Sequence, residues 1–286
     1  MTWAIAVHGG AKEIPLAKHE ANRAGCVAAA AAGADVLRRG GSALDAVEAT
    51  IRAFEDDPTF NAGRGSVRNA DGDVQMDAAI MDGATLDVGG VAVIHAVPHP
   101  VTVARLMLRE APTLLAADGA RRFAQEHGAE LCDPAELLVD PEDPGNDTVG
   151  CVALDIEGNL AAATSTGGID GCAAGRVGDS PVPGCGLYAD NAIGAVVFSG
   201  DGESIARTML AARVMQALES GPPQPAMEAA IERLGRVGGE AGGIVLDPAG
   251  RVGWAHNSPN FAVAVATGAD GRVRAYLSRD EAAGDD

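Results

Sequence analysis

The sequence predicts an α/β fold in four layers, with two mainly antiparallel sheets packed face to face and helices outside. Three observations carry that expectation. Apolar strand segments recur as hairpins around tight turns. Helical segments come in pairs, which does not match the regular strand-helix alternation of a doubly wound sheet. Aromatic residues make up only 3% of the chain beside 38 glycines, so the layers must pack closely through Ala, Val, Leu and Ile. With 286 residues and 47% hydrophobic content, the chain can bury a sizeable core and could form one large domain or two ordinary ones, of which a single domain is the expectation.

Taken in order, "WAIAVHGG" reads as a short buried strand running into a glycine turn. Glu20 to Arg39 is an Ala-rich helix closed by Gly40 and Gly41, and Ser42 with Asp45 then caps a second helix. Leu44, Val47, Ile51 and Phe54 give that helix one apolar face before Pro58 ends it. Val74 to Asp82 and Val91 to Val97 are paired strand candidates, and helices resume near Val101 and Thr113. Residues 129 to 147 turn acidic and Pro-bearing without a sustained period, the composition of an exposed linker. After this seam, "VGCVALDIEGNLAAATST" and "GIVLDPAGRVGWAHN" each predict a hairpin. Between them, "GESIARTMLAARVMQALES" and "PAMEAAIERLG" supply two helices, the first burying Ile205, Met209, Ala212 and Val214 or Met215. "FAVAVATG" and "RVRAYLS" read as a final strand pair.

A formal net charge of -19 without a basic cluster argues against nucleic acid or an anionic membrane as partner, since either needs Lys and Arg to neutralise phosphates. The five cysteines form no CxxC pair and read mostly as small buried hydrophobes, not as a disulfide framework or zinc site. His8, His95 and His99 lack metal-ligand spacing and read as structural, and no GxxxxGK[ST] loop supports nucleotide binding. The start "MTWAIAVHGG" has no basic region ahead of its short apolar run, and no stretch approaches the ~18 apolar residues of a membrane span. A cytoplasmic protein is the expectation.

The stretch "NDTVGCVAL" sets Thr148 at the first residue of a strand. Taken alone, that is ordinary for a β-branched residue. The other reading is a chain cut before Thr148, which would give one residue both a hydroxyl nucleophile and an α-amine base with an ordinary pKa of about 7.7–8.0.

Around this residue the sequence resembles the plant-type L-asparaginase and isoaspartyl peptidase group of N-terminal-nucleophile hydrolases. The likeness runs in one order through "HGGA", "FNAGRGSV", "MDAAIMDG", "DTVGCVALDIEGNLAAATSTGG", "GRVGDSP", "YADN" and "SGDGE". It implies a precursor that cuts itself between Asp147 and Thr148 into an α chain of residues 1–147 and a β chain of residues 148–286. It also implies release of L-aspartate from L-asparagine and from β-aspartyl dipeptides through an acyl-enzyme on Thr148. Thr166 would orient the nucleophile, Ser199 and the Gly200 N–H would hold the oxyanion, and Asn61 would support processing. Arg176 would grip the substrate's α-carboxylate, Asp179 would take its α-ammonium, and Gly200 belongs to the same substrate site. The resemblance implies no catalytic cofactor, allows a structural Na⁺ on backbone carbonyls of the loop Phe54 to Arg64, and suggests dimers of cleaved αβ units.

Two positions depart from the family's pattern. Ser199 stands where Thr is usual, which keeps the hydroxyl but loses the methyl that stiffens its rotamer. Asp201 follows Gly200, where an inward-pointing carboxylate would oppose an oxyanion. A glycosylasparaginase-like hydrolase and an uncleaved scaffold that only binds aspartyl metabolites are the alternatives; intact mass separates the scaffold from the enzyme.

Overall fold

The computed structural model describes residues 3–138 and 148–283. Asp147 and the second half of the expected linker lie outside the described residues. Strand β1 (Ala4–Lys12) leads to helices α1 (His19–Arg38) and α2 (Ala43–Asp56). Strands β2 (Met76–Asp82) and β3 (Val88–Ile94) precede α3 (Pro100–Met107), β4 (Leu114–Ala116) and α4 (Ala117–Glu126). Beyond Thr148 come β5 (Val149–Leu154), β6 (Leu160–Thr166), β7 (Leu187–Asp190) and β8 (Gly194–Gly200). The chain ends with α5 (Gly202–Thr208), α6 (Leu210–Leu218), α7 (Pro223–Gly235), β9 (Ala241–Leu246), β10 (Val252–His256), β11 (Asn260–Thr267), β12 (Val273–Tyr276) and α8 (Arg279–Ala283).

The strands form an eight-stranded sheet, β12-β11-β1-β5-β6-β2-β3-β4, and a four-stranded sheet, β10-β9-β8-β7. Every described pairing between these strands is antiparallel except β3 with β4. The predicted four-layer sandwich is therefore the one found, and period-2 alternation explains why. In β5, Val149, Cys151 and Ala153 face α1–α4, while Val152 and Leu154 face the second sheet. In β8, Ala195 and Val197 join that interlayer, while Val196 and Phe198 pack under α6 and α7. The interlayer is rich in alanine, including Ala4, Ala6, Ala79, Ala162, Ala189 and Ala195, so the two sheets approach closely.

Local signals place several elements as expected. Ser42 Oγ accepts from the Asp45 N–H at 3.1 Å and caps α2, whose Val47, Ile51 and Phe54 are buried. Phe60 meets Phe54 edge to face at 4.7 Å, an arrangement worth about 1 kcal/mol beyond area burial. Its ring fills the space beside two glycines: a Cβ on Gly9 or Gly25 would lie 2.3 or 2.4 Å from it. The loop after α2 is thus anchored by apolar packing before it reaches Asn61.

Elsewhere the structure corrects the sequence. Thr113 opens no helix; residues 114–116 add a parallel edge strand and α4 begins at Ala117. β3 starts at Val88, ahead of Val91, because Gly89 is a packing glycine whose Cβ would sit 2.1 Å from the Ala104 carbonyl of α3. It ends at Ile94, as Val93 and Ala96 take positive φ. The helix expected across Gly202 to Ser220 breaks at Met209 (φ +51°), which rotates Met209 out to 54% exposure instead of burying it. Of the cysteines, Cys26 and Cys151 are buried, whereas Cys132, Cys172 and Cys185 are partly exposed. The linker's first half is mostly exposed, yet Asp133 caps a 3₁₀ turn (Pro134–Leu137) that inserts a fully buried Leu137. Among the described residues no helix is long and apolar enough to cross a membrane.

Candidate active site

The site lies where one end of the alanine-rich interlayer opens. Pairing of Val149 with Ser165 and of Asp77 with Thr166 lines up Thr148, Thr166 and Asp77 across β5, β6 and β2. Thr148 falls on the same face as Val152 and Leu154, towards the second sheet. Across the gap, β8 ends at Gly200. The long loop from Gly167 to Gly186 closes the third side. The resulting cleft, about 330 Å³ including its mouth, is lined by Thr148, Thr166, Gly168, Ile169, Arg176, Asp179, Ser180 and Gly200.

Thr148 is 8% exposed, and its Oγ1 lies 3.0 Å from Ser180 Oγ. Thr164 Oγ1 donates to the Ser180 carbonyl at 2.7 Å, which fixes the serine from below. Thr166 Oγ1 accepts from the Gly168 N–H at 3.2 Å. Asn61 does not reach the cleft. It is fully buried, donates from Nδ2 to the Gly168 carbonyl at 2.7 Å and accepts from Val67 N–H, while its own carbonyl takes the Gly167 N–H. Through these bonds Asn61 pins the turn that leaves β6. Behind Thr148, a Cβ on Gly150 would lie 2.3 Å from the Nε2 of His8. His8 is wholly buried against Phe261, and desolvation lowers it to about 3, so the ring is neutral.

Ser199 is fully buried one residue before Gly200, on the same face of β8 as Val197, towards the interlayer. Gly200 has φ +141°, and a Cβ there would meet the Glu240 carbonyl at 2.3 Å and Ala241 Cα at 2.6 Å. Asp201 turns to cap α5, accepting from the Ser204 N–H and hydroxyl. Its carboxylate is thereby used locally and does not oppose an oxyanion. Arg176 contacts Glu203 through two bonds of 2.9 Å each, and Asp179 is 3% exposed.

Two contributors are not evident from the sequence. Ser180 follows Asp179 directly in "GRVGDSP", so its hydroxyl is visible there but its reach to Thr148 is not. Asp77 has no local signal of function, since it alternates as any strand residue. Its Oδ1 accepts from Val93 N–H at 2.7 Å, and it also takes the Gly178 N–H between Arg176 and Asp179. Desolvation raises its carboxyl from 3.8 to about 6, against these hydrogen bonds and the Arg176 charge. A folded value above the unfolded one means stability is fullest below about 4 and falls as pH rises through about 6, by at most ~3 kcal/mol. Asp77→Asn keeps an acceptor for Val93 but does not titrate, so the difference in urea midpoint between the two proteins should change across pH 4–6. Parallel pH profiles would contradict this assignment.

No group of three or more His, Cys, Asp or Glu side chains suited to a metal ion occurs among the described residues. Glu55, in the last turn of α2, is wholly buried: its Oε1 accepts from the Val101 N–H and the Ser165 hydroxyl, and desolvation raises its carboxyl to about 8.

A family model described as Asparaginase matches residues 1–143 and 135–274. Curated relatives carrying the name Isoaspartyl peptidase/L-asparaginase are similar over nearly the whole chain. The Danio rerio protein is 40% identical, with 94% of this chain and 93% of the relative aligned. The Homo sapiens protein is 41% identical over 97% and 96%. The Xenopus laevis protein is 41% identical over 86% of each.

Proposed function

The chain belongs to the asparaginase family, and from that premise we propose that it is an amidohydrolase releasing L-aspartate from L-asparagine and from β-aspartyl dipeptides. The observation that carries the proposal is the convergence of Thr148, Thr166, Arg176, Asp179 and Gly200 on one small cleft at the head of β5. A cut between Asp147 and Thr148 gives Thr148 a free α-amine. That amine takes the proton of Oγ1, and the oxygen adds to the side-chain carbonyl of the substrate. Ser199 Oγ and the Gly200 N–H hold the oxyanion; removing one such donor typically costs about a hundredfold to a thousandfold in rate. Collapse of the adduct breaks the C–N bond, and the proton held by the α-amine passes to the departing ammonia or amine. Water, deprotonated by the same amine, then hydrolyses the Thr148 ester, and L-aspartate leaves.

Recognition rests on charge. The guanidinium of Arg176 faces the α-carboxylate and the buried Asp179 faces the α-ammonium, so the substrate must carry both groups. Thr166 orients the nucleophile, and Asn61 holds the turn beside it. A Na⁺ ion would be held there by backbone carbonyls of the loop Phe54 to Arg64, the hard oxygen donors such an ion takes. Its contribution would be to brace the loop that carries Asn61.

Intact mass with N-terminal sequencing, then turnover of L-asparagine beside β-Asp-Leu, tests the reading. Two fragments, the second beginning at Thr148, and release of aspartate from both substrates are expected. A working enzyme that remains one unbroken chain would overturn it. Arg176→Ala removes a charge-assisted contact of about 3 kcal/mol, so kcat/KM for L-asparagine should fall roughly a hundredfold, mainly through KM.

A further inference from the structure

We propose that Glu203 is a positioning residue for substrate recognition, clamping Arg176 so that a single edge of its guanidinium is presented to the cleft; this rests on the aspartyl-substrate reading. The bonds are side-on: Arg176 Nε donates to Glu203 Oε1 at 2.9 Å and Nη2 donates to Oε2 at 2.9 Å. They occupy the Nε/Nη2 edge. The Nη1/Nη2 end still has an N–H on each nitrogen, in the fork that matches a carboxylate.

Two glycines complete the box. A Cβ on Gly178 would lie 3.0 Å from Nη1 and 3.2 Å from Cζ, so the guanidinium lies against that backbone. A Cβ on Gly202 would lie 2.8 Å from Nη2 and 2.9 Å from Asp179 Oδ1, so the second substrate-facing charge shares the same wall. The Arg176 side chain is 15% exposed while that of Glu203 is 57% exposed, which places the carboxylate on the solvent side. Hydrogen bonding to Arg176 also holds the Glu203 carboxyl below its usual 4.5, keeping it charged.

The clamp also joins the two halves of the site. Arg176, Asp179 and Ser180 sit on the loop after β6, whereas Gly200 ends β8. Gly200, Asp201, Gly202 and Glu203 are consecutive, so the Glu203 bond ties that loop to the first turn of α5, three residues from Gly200. An arginine on a glycine-rich loop otherwise keeps long-chain rotamer freedom that binding must remove. Holding it beforehand lowers that cost.

The test compares Glu203→Ala, Glu203→Gln and Arg176→Ala, with the double variant, after confirming the N-terminus at Thr148. Glu203→Ala should raise KM for L-asparagine and Ki for L-aspartate together, about tenfold, with kcat within threefold. Glu203→Gln retains one acceptor and should fall between; it also serves if the alanine variant does not accumulate. Adding Glu203→Ala to Arg176→Ala should change nothing more. An unchanged KM in Glu203→Ala would overturn the clamp, and a lowered one would show that Glu203 competes with substrate. If Arg176→Ala raises KM while Glu203→Ala does not, only the clamp fails; if Arg176→Ala leaves KM unchanged, the substrate reading itself fails.

Discussion

Thr148→Ala is expected to leave the purified protein as a single full-length chain and to reduce hydrolysis to background, a loss on the order of 10⁴-fold or more. Alanine has no oxygen to attack the peptide bond before it, so the chain is not cut. Even if the bond were broken by other means, no acyl-enzyme could form. The surrounding structure gives little reason for collapse: the lost hydroxyl contacts Ser180 Oγ at 3.0 Å, and one neutral hydrogen bond contributes about 1 kcal/mol. Thr148→Ser keeps the oxygen and should retain part of both reactions. Electrophoresis with N-terminal sequencing reads the first effect and coupled release of aspartate the second. Normal turnover of a β-aspartyl peptide by the alanine variant would remove Thr148 from the chemistry.

Gly200→Ala should be the most damaging change in the cleft that leaves the nucleophile in place. The added methyl would lie 2.3 Å from the Glu240 carbonyl oxygen and 2.6 Å from Ala241 Cα, both backbone atoms of the neighbouring β-strand region. The residue also holds φ +141°, which L side chains seldom adopt. Relief requires β8 to move from β9, with which Gly200 pairs at Ala241. A destabilisation of about 3 kcal/mol or more is expected, read as a drop in urea midpoint. What folds should still contain Thr148, yet its kcat should be low because the Gly200 N–H proposed to hold the oxyanion would be displaced. A variant as stable and as fast as the parent would show that neither constraint holds.

Much of the architecture is legible in the sequence because its signals are local. Ser42 three residues before Asp45, the Glu157-Gly158 turn between two apolar runs, and the alternation in "VGCVAL" each act over a few residues. That β1 sits between β11 and β5 is beyond such reasoning, since the pairing joins residues more than a hundred positions apart. Met209 shows another limit: an unbroken apolar spacing cannot reveal a left-handed residue. Gly89 reads equally as turn or packing glycine until α3 is seen against it. Of the residues named from the family likeness, Thr148, Thr166, Arg176, Asp179 and Gly200 line one cleft, but the places of Asp77 and Ser180 beside it are not readable in advance. A carboxyl raised by desolvation depends on what covers it, and Ser180 gains its contact with Thr148 only because a loop folds back.

Strand order in the large sheet determines how firmly two chains severed before Thr148 would hold together. By origin the strands run second piece, second, first, second, second, first, first, first: β12 and β11, then β1, then β5 and β6, then β2, β3 and β4. The two polypeptides are interleaved, with ladders of hydrogen bonds crossing from one to the other at β11–β1, β1–β5 and β6–β2. Neither can be drawn away without dismantling three seams and the helices packed over them, so the pair should dissociate only on global unfolding. Reassembly from separated pieces would have to thread β1 between strands of its partner, a search the uncut precursor performs within one molecule.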